Sequence, residues 1–121
     1  MRPDSGDGSY LWDMQNYAER ILRLAEPSTF DQFLADELLR TTIERYLEIV
    51  GEAATHVSPE FRQQNSQVPW QKVVAFRNVL AHGYRRVVPE VVWQIATEDI
   101  PPLLTMLIRL MPPPTAEEDS R

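Results

Sequence analysis

Apolar residues recur at three- and four-residue intervals along almost the whole chain, a spacing that one face of an α-helix requires and a strand does not. Tyr10, Leu11, Met14, Tyr17, Ala18, Ile21, Leu22 and Ala25 form the first stripe, with Ser9 placed to cap it and Pro27 beyond its end. Thr29-Phe30-Asp31-Gln32 has the form of a capping box. Leu39, Ile43, Tyr46, Leu47, Val50, Ala53, Ala54 and Val57 then mark a long second stripe, with a break expected near 34–37. Ser58 before Pro59 suits a short helix, and the polar run 63–67 a surface loop. Pro69 opens a further helix through Trp70, Val73, Val74, Arg77, Leu80 and Ala81, which Gly83 is placed to end. Pro89 starts the last, through Val92, Ile95, Ala96, Leu103, Leu107 and Leu110. Pro101 and Pro102 must kink or interrupt it, because proline lacks the amide donor and clashes with the preceding turn. Pro112 to Pro114 stop it. No segment alternates like a half-buried strand. The expected fold is therefore all-α, an antiparallel bundle of about five helices over 10–111, between a flexible N-terminus (1–9) and a flexible C-terminal tail (112–121).

A chain of 121 residues with 43% hydrophobic content fits one domain with a modest core. It has no cysteine, which excludes disulfides and thiolate metal sites, and its 2 histidines leave a zinc site dependent on carboxylates. No metal and no cofactor is expected. The first nine residues lack the apolar run of a signal peptide, and the most apolar stretch, 100–111, carries Arg109 and falls short of the ~20 residues that span a bilayer. The expectation is a cytoplasmic protein without membrane contact. A net charge of −6 and a pI near 4.8 argue against a broad electrostatic grip on nucleic acid. The charge is unevenly spread, however. Acidic residues dominate 26–60, whereas 61–89 holds Arg62, Lys72, Arg77, Arg85 and Arg86 with no acidic residue.

The basic segment contains Arg77-Asn78-Val79-Leu80-Ala81-His82-Gly83-Tyr84. Histidine moves protons near neutral pH and arginine stays charged there, a pairing suited to chemistry at a phosphate. Arg77 falls within the apolar stripe of its helix, so it needs a carboxylate, backbone carbonyls or a bound anion. Glu44, Glu48 and Glu52 recur at four-residue intervals on the preceding long helix, a like-charge row that a cation would relieve. An ion pair of Arg77 with Glu48 or Glu52 is thus the structural alternative to phosphate binding. His82 lies five residues after Arg77, which on a regular helix turns it roughly 140° away. The two converge if the helix frays near Gly83 or if a second copy brings its own pair opposite. Taken alone, a histidine such as His82 near a helix C-terminus is most often a favourable dipole partner or a core residue, and His56 reads as structural.

Together, Tyr46-Leu47-Glu48-Ile49-Val50-Gly51-Glu52-Ala53-Ala54, Pro69-Trp70, the segment from Arg77 to Tyr84, Trp93 and Asp99-Ile100-Pro101 resemble the HepT-like branch of HEPN-domain toxins, over about 10–111. The resemblance implies an up-and-down helical bundle that forms a homodimer, and a metal-independent ribonuclease serving as the toxin of a toxin–antitoxin pair. It implies catalytic roles for Arg77 and His82 in a shared cleft, with Asn78 supporting, and products ending in a 2′,3′-cyclic phosphate and a 5′-hydroxyl. It also implies a minimal nucleotidyltransferase antitoxin of the MntA kind, which silences the toxin by attaching AMP to Tyr84. Arg85, Arg86 and Lys72 suit contacts with RNA phosphates or with a partner's acidic face. Transfer RNA and messenger RNA both fit as substrate. The other reading is a non-catalytic dimerising or substrate-binding subunit of a nucleotidyltransferase complex. One departure stands out: Val87-Val88-Pro89 occupies the place where a polar cap is expected before the Trp93 helix.

Overall fold

The computed structural model describes residues 6–79 and 87–110, and these residues are helical with no strand among them. The elements are α1 (Gly6–Ala25), α2 (Phe30–Ala35), α3 (Glu37–Thr55), α4 (Pro59–Gln64), α5 (Trp70–Val74), α6 (Pro89–Gln94) and α7 (Ile100–Leu110). A 3-10 turn, Ala75–Val79, extends α5, and a π turn, Ile95–Asp99, joins α6 to α7. No helix among the described residues is long and apolar enough to cross a membrane.

The capping chemistry read from the sequence sets most of the helix ends. Thr29 and Gln32 exchange both bonds of the capping box, 3.1 Å and 2.8 Å. The expected break between α2 and α3 falls on Asp36, whose extended backbone ends one helix and whose carboxylate accepts the Leu39 amide of the next. Ser58 caps α4 through the Phe61 amide, and Arg62 returns to the C-terminus of α3, donating to the carbonyls of Ala54 (2.5 Å) and Val57 (3.2 Å). Val88 precedes α6 with no side-chain cap, as its apolar side chain dictates.

Two boundaries differ from the sequence reading for a tertiary reason. α1 begins at Gly6, so Ser9 is an internal helical residue and no cap. Asp7 in its first turn accepts the amide (2.8 Å) and hydroxyl (2.7 Å) of Ser58, which ties this extra turn to the α3–α4 corner. The helix opened by Pro69 keeps α geometry only as far as Val74 and then tightens. At three residues per turn, Trp70, Val73 and Phe76 share a face, and all three are buried. Pro101 and Pro102 interrupt the last helix as expected, without ending it: α geometry stops at Gln94 and resumes at Ile100. The wider π turn before them adapts the rod to the missing donors, and backbone angles stay helical on both sides of it.

α1 and α3 are the antiparallel centre of the bundle: Tyr10 stacks on His56 and Tyr17 meets Tyr46, so numbering rises along one helix as it falls along the other. Met14, Ala18, Ile21, Ile43, Leu47, Val50 and Ala54 fill their interface. α7 covers the other side of α1 through Ile100, Leu103 and Leu107, and Phe33 packs on Trp93 at 5.1 Å to join α2 to α6. Each large apolar side chain so buried contributes about 1.5–3 kcal/mol.

α5 and its 3-10 turn lie against α3 at Gly51. A Cβ there would stand 2.7 Å from Arg77 Cγ and 3.3 Å from both the Arg77 amide nitrogen and the Val73 carbonyl oxygen. The arginine stem can swing aside, but the two backbone atoms cannot without moving the turn. Gly51→Ala should therefore lower stability by about 1–3 kcal/mol in urea unfolding, despite alanine's better helix propensity. An unchanged or raised midpoint would show that the turn is not clamped there.

Candidate functional site

Arg77 sits in the 3-10 turn, its stem over Gly51 and its guanidinium at the rim of α3. Nη1 donates to Glu52 Oε2 at 2.6 Å, so of the two carboxylates expected to pair with it, Glu52 does. Glu48 instead pairs with Arg45 on its own helix. The other oxygen of Glu52, Oε1, accepts from His56 Nε2 at 3.2 Å. One carboxylate thus joins Arg77 to His56, whose ring lies on Tyr10 with centroids 4.8 Å apart and planes inclined by 20°.

The remaining expected site residues fall in different places. Asn78 is exposed on the same turn as Arg77. Lys72 reaches Asp99 of the π turn at 3.0 Å, fastening α5 to the last rod while staying largely open to solvent. His82, Tyr84, Arg85 and Arg86 lie outside the described residues. The turn of roughly 140° between Arg77 and His82 assumed a regular α-helix, and that assumption ends at Ala75.

Two features of this region were not anticipated. His56 keeps a structural role, and in it shares the carboxylate that holds Arg77; its place four residues after Glu52 is the signal for that bond. Between α1 and α3 lies a groove of about 390 Å³ lined by Tyr10, Asp13, Arg45, Glu48, Glu52 and His56, together with Ile49 and Ala53. No sequence spacing relates the two helices, so nothing in the linear pattern marks it.

The glutamate row is relieved residue by residue. Burial pushes the Glu44 carboxyl up, with Arg40 opposing. The hydrogen bond from His56, and then the charge and hydrogen bond of Arg77, hold Glu52 below its ordinary 4.5. A carboxylate held low stabilises the fold fully above its unfolded value, and that contribution is lost as pH falls through the folded value. Comparing Tm of the protein with that of Glu52→Gln should show a gap that is steady above pH about 5 and closes as the pH drops further below 4.5. A gap independent of pH would mean that the Glu52 charge is not what links His56 and Arg77.

Comparison with known proteins places the chain in a family. The family model described as Ribonuclease HepT-like matches residues 14–110. A protein of Thermococcus cleftensis named a probable ribonuclease HepT is 33% identical over 78% of this chain and 86% of its own length. A protein of Methanocaldococcus jannaschii, provisionally named an RNase, is 30% identical over 77% of this chain and 85% of its own. Another with a provisional RNase name, from Caldanaerobacter subterraneus subsp. tengcongensis, is 32% identical over 78% and 84%. No solved structure matches the chain. The match runs from α1 through the last turn of α7, taking in Gly51, Glu52 and Arg77, and the chain belongs to the HepT-like ribonuclease family.

Proposed function

We propose that the chain is the toxin of a toxin–antitoxin pair, a cytoplasmic endoribonuclease that cuts RNA without metal. In this reading two copies pair so that Arg77 and His82 of both face one cleft. His82 takes the proton of the ribose 2′-hydroxyl or gives one to the leaving 5′-oxygen. The 2′-oxygen attacks phosphorus and the bond to the 5′-oxygen breaks, leaving a 2′,3′-cyclic phosphate and a 5′-hydroxyl. Arg77 offsets the charge that grows on the phosphate oxygens, and Asn78 orients the histidine or a phosphate oxygen. Lys72, Arg85 and Arg86 contact RNA phosphates or the partner, and transfer RNA and messenger RNA both fit as substrate.

The observation that carries this reading, beside the family, is the exposure of the Arg77–Glu52 pair. Its side chains are 38% and 55% exposed. Pairs so open to solvent contribute little to stability, so a phosphate can displace the carboxylate at little cost. The same pair is also what favours the second reading, a non-catalytic dimerising or substrate-binding subunit in which Arg77 serves structure. The two part on measurement. As a ribonuclease, the purified protein cleaves RNA in the presence of a chelator, and Arg77→Ala or His82→Ala abolishes cleavage while leaving stability nearly unchanged. Cleavage that persists in either variant sinks the catalytic reading; a loss of several kcal/mol in Arg77→Ala supports the structural one.

A minimal nucleotidyltransferase antitoxin silences the enzyme in this account. The Tyr84 phenol oxygen attacks the α-phosphorus of ATP, pyrophosphate leaves, and the attached AMP adds bulk and negative charge at the mouth of the cleft. Incubation with such an enzyme and ATP should add one AMP per chain by mass spectrometry and stop RNA cleavage. Tyr84→Phe should stay unmodified and active in the same mixture; modification of that variant would move the site elsewhere.

A further inference from the structure

The groove between α1 and α3 is joined to Arg77 by a single carboxylate, because Glu52 lines it and bonds both His56 and Arg77. Its chemistry differs from that of a phosphate site. Asp13, Glu48 and Glu52 present acceptors, Arg45 is engaged with Glu48, and the stacked rings of Tyr10 and His56 form one wall. Carboxylates repel phosphate and take hydrogen-bond donors, while aromatic and imidazole faces take flat rings. At about 390 Å³ the space is of ligand-pocket size.

The same helical face continues past the groove. Tyr17 follows Tyr10 by seven residues, two turns and about 10 Å along α1. It meets Tyr46 with centroids 5.2 Å apart, and the Arg20 guanidinium lies 4.9 Å from the Tyr17 ring centre. A ring platform at Tyr10 and, two turns on, a guanidinium plane over Tyr17 and Tyr46 suit successive unstacked bases of a single strand.

We propose that this groove reads one RNA base beside the phosphate held at Arg77, and that it takes a base bearing an exocyclic amino group, guanine foremost. Guanine presents a ring N–H and an amino group side by side, which one carboxylate such as Asp13 can accept together, whereas uracil has no amino donor. The base stacks on the Tyr10–His56 wall while its phosphate displaces Glu52 from the guanidinium. Attraction then comes from stacking and base-edge hydrogen bonds in place of many phosphate contacts, which reconciles RNA recognition with a net charge of −6. The proposal rests on the ribonuclease reading for its substrate and is tested apart from it.

The full chain, with Asp13→Asn and Tyr10→Ala as variants, is given a random-sequence RNA and the cut sites are sequenced. The expected result is cutting beside guanine at least tenfold above uracil, with the ratio falling several-fold in each variant. Cutting without base preference, or with a ratio that neither variant changes, overturns the groove proposal and leaves the ribonuclease reading intact. If the unmutated protein cuts nothing, the ribonuclease reading fails. Binding of uncleavable 2′-O-methyl oligonucleotides that differ in one base then decides the groove: tighter binding of the guanine form, lost in Tyr10→Ala, supports it, and equal binding of all forms overturns it. If Tyr10→Ala splits a dimer in sedimentation and leaves base preference unchanged, the groove is an interface between copies and the proposal falls.

Discussion

Gly51 is the point on which the arrangement turns. Without a Cβ, α3 admits the backbone of Val73 and Arg77 against its side, at a distance that any other residue would obstruct. That approach brings the 3-10 turn onto the bundle centre, buries Trp70, Val73 and Phe76, and sets the Arg77 guanidinium over the next residue of α3, Glu52. Fold and site meet at this step. The glycine that permits the packing precedes the carboxylate that receives the arginine, so a shift in one displaces the other.

The electrostatics follow from the same helix. A row of Glu44, Glu48 and Glu52 on one face is unfavourable in isolation, and each member is compensated from a different source. Arg40 lies one turn before Glu44, Arg45 pairs with Glu48 from within α3, and Glu52 draws Arg77 from another element and His56 from its own. Glu52 is thus the member whose charge connects separate elements. Its two partners are exposed enough to change contacts, unlike a buried ion pair, which would hold Arg77 in place.

The chain belongs to the HepT-like family over residues 14–110, and physical chemistry accounts for the placement of its parts. Pro69-Trp70 starts α5 and anchors it, the indole N–H donating to the Asn65 carbonyl at 3.0 Å. Trp93 closes α6 against Phe30 and Phe33. Lys72 and Asp99 then tie the two rods that flank the segment carrying His82 and Tyr84. The π turn beside Asp99 lets two prolines sit within a continuous helical rod, so the Lys72 tie joins α5 to a long element and not to a loose end.

What could be read directly was local. Apolar spacing, the Thr29–Gln32 box, the Ser58–Pro59 start and the break at Asp36 each depend on residues a few positions apart, and helical period expresses such relations faithfully. The all-α class and the two long central helices were therefore determined by the sequence alone. The tertiary structure decided the rest. Asp7 extended α1 by bonding Ser58, fifty-one residues away in the chain, and packing on α3 tightened α5 so that Phe76, absent from the α-spaced stripe, became core. It also chose Glu52 over Glu48, since both satisfy the same spacing and only the position of the 3-10 turn over Gly51 distinguishes them. The groove beside Tyr10 and His56 has the same origin: its walls come from two helices whose register is set by the core between them, and no linear pattern encodes that register.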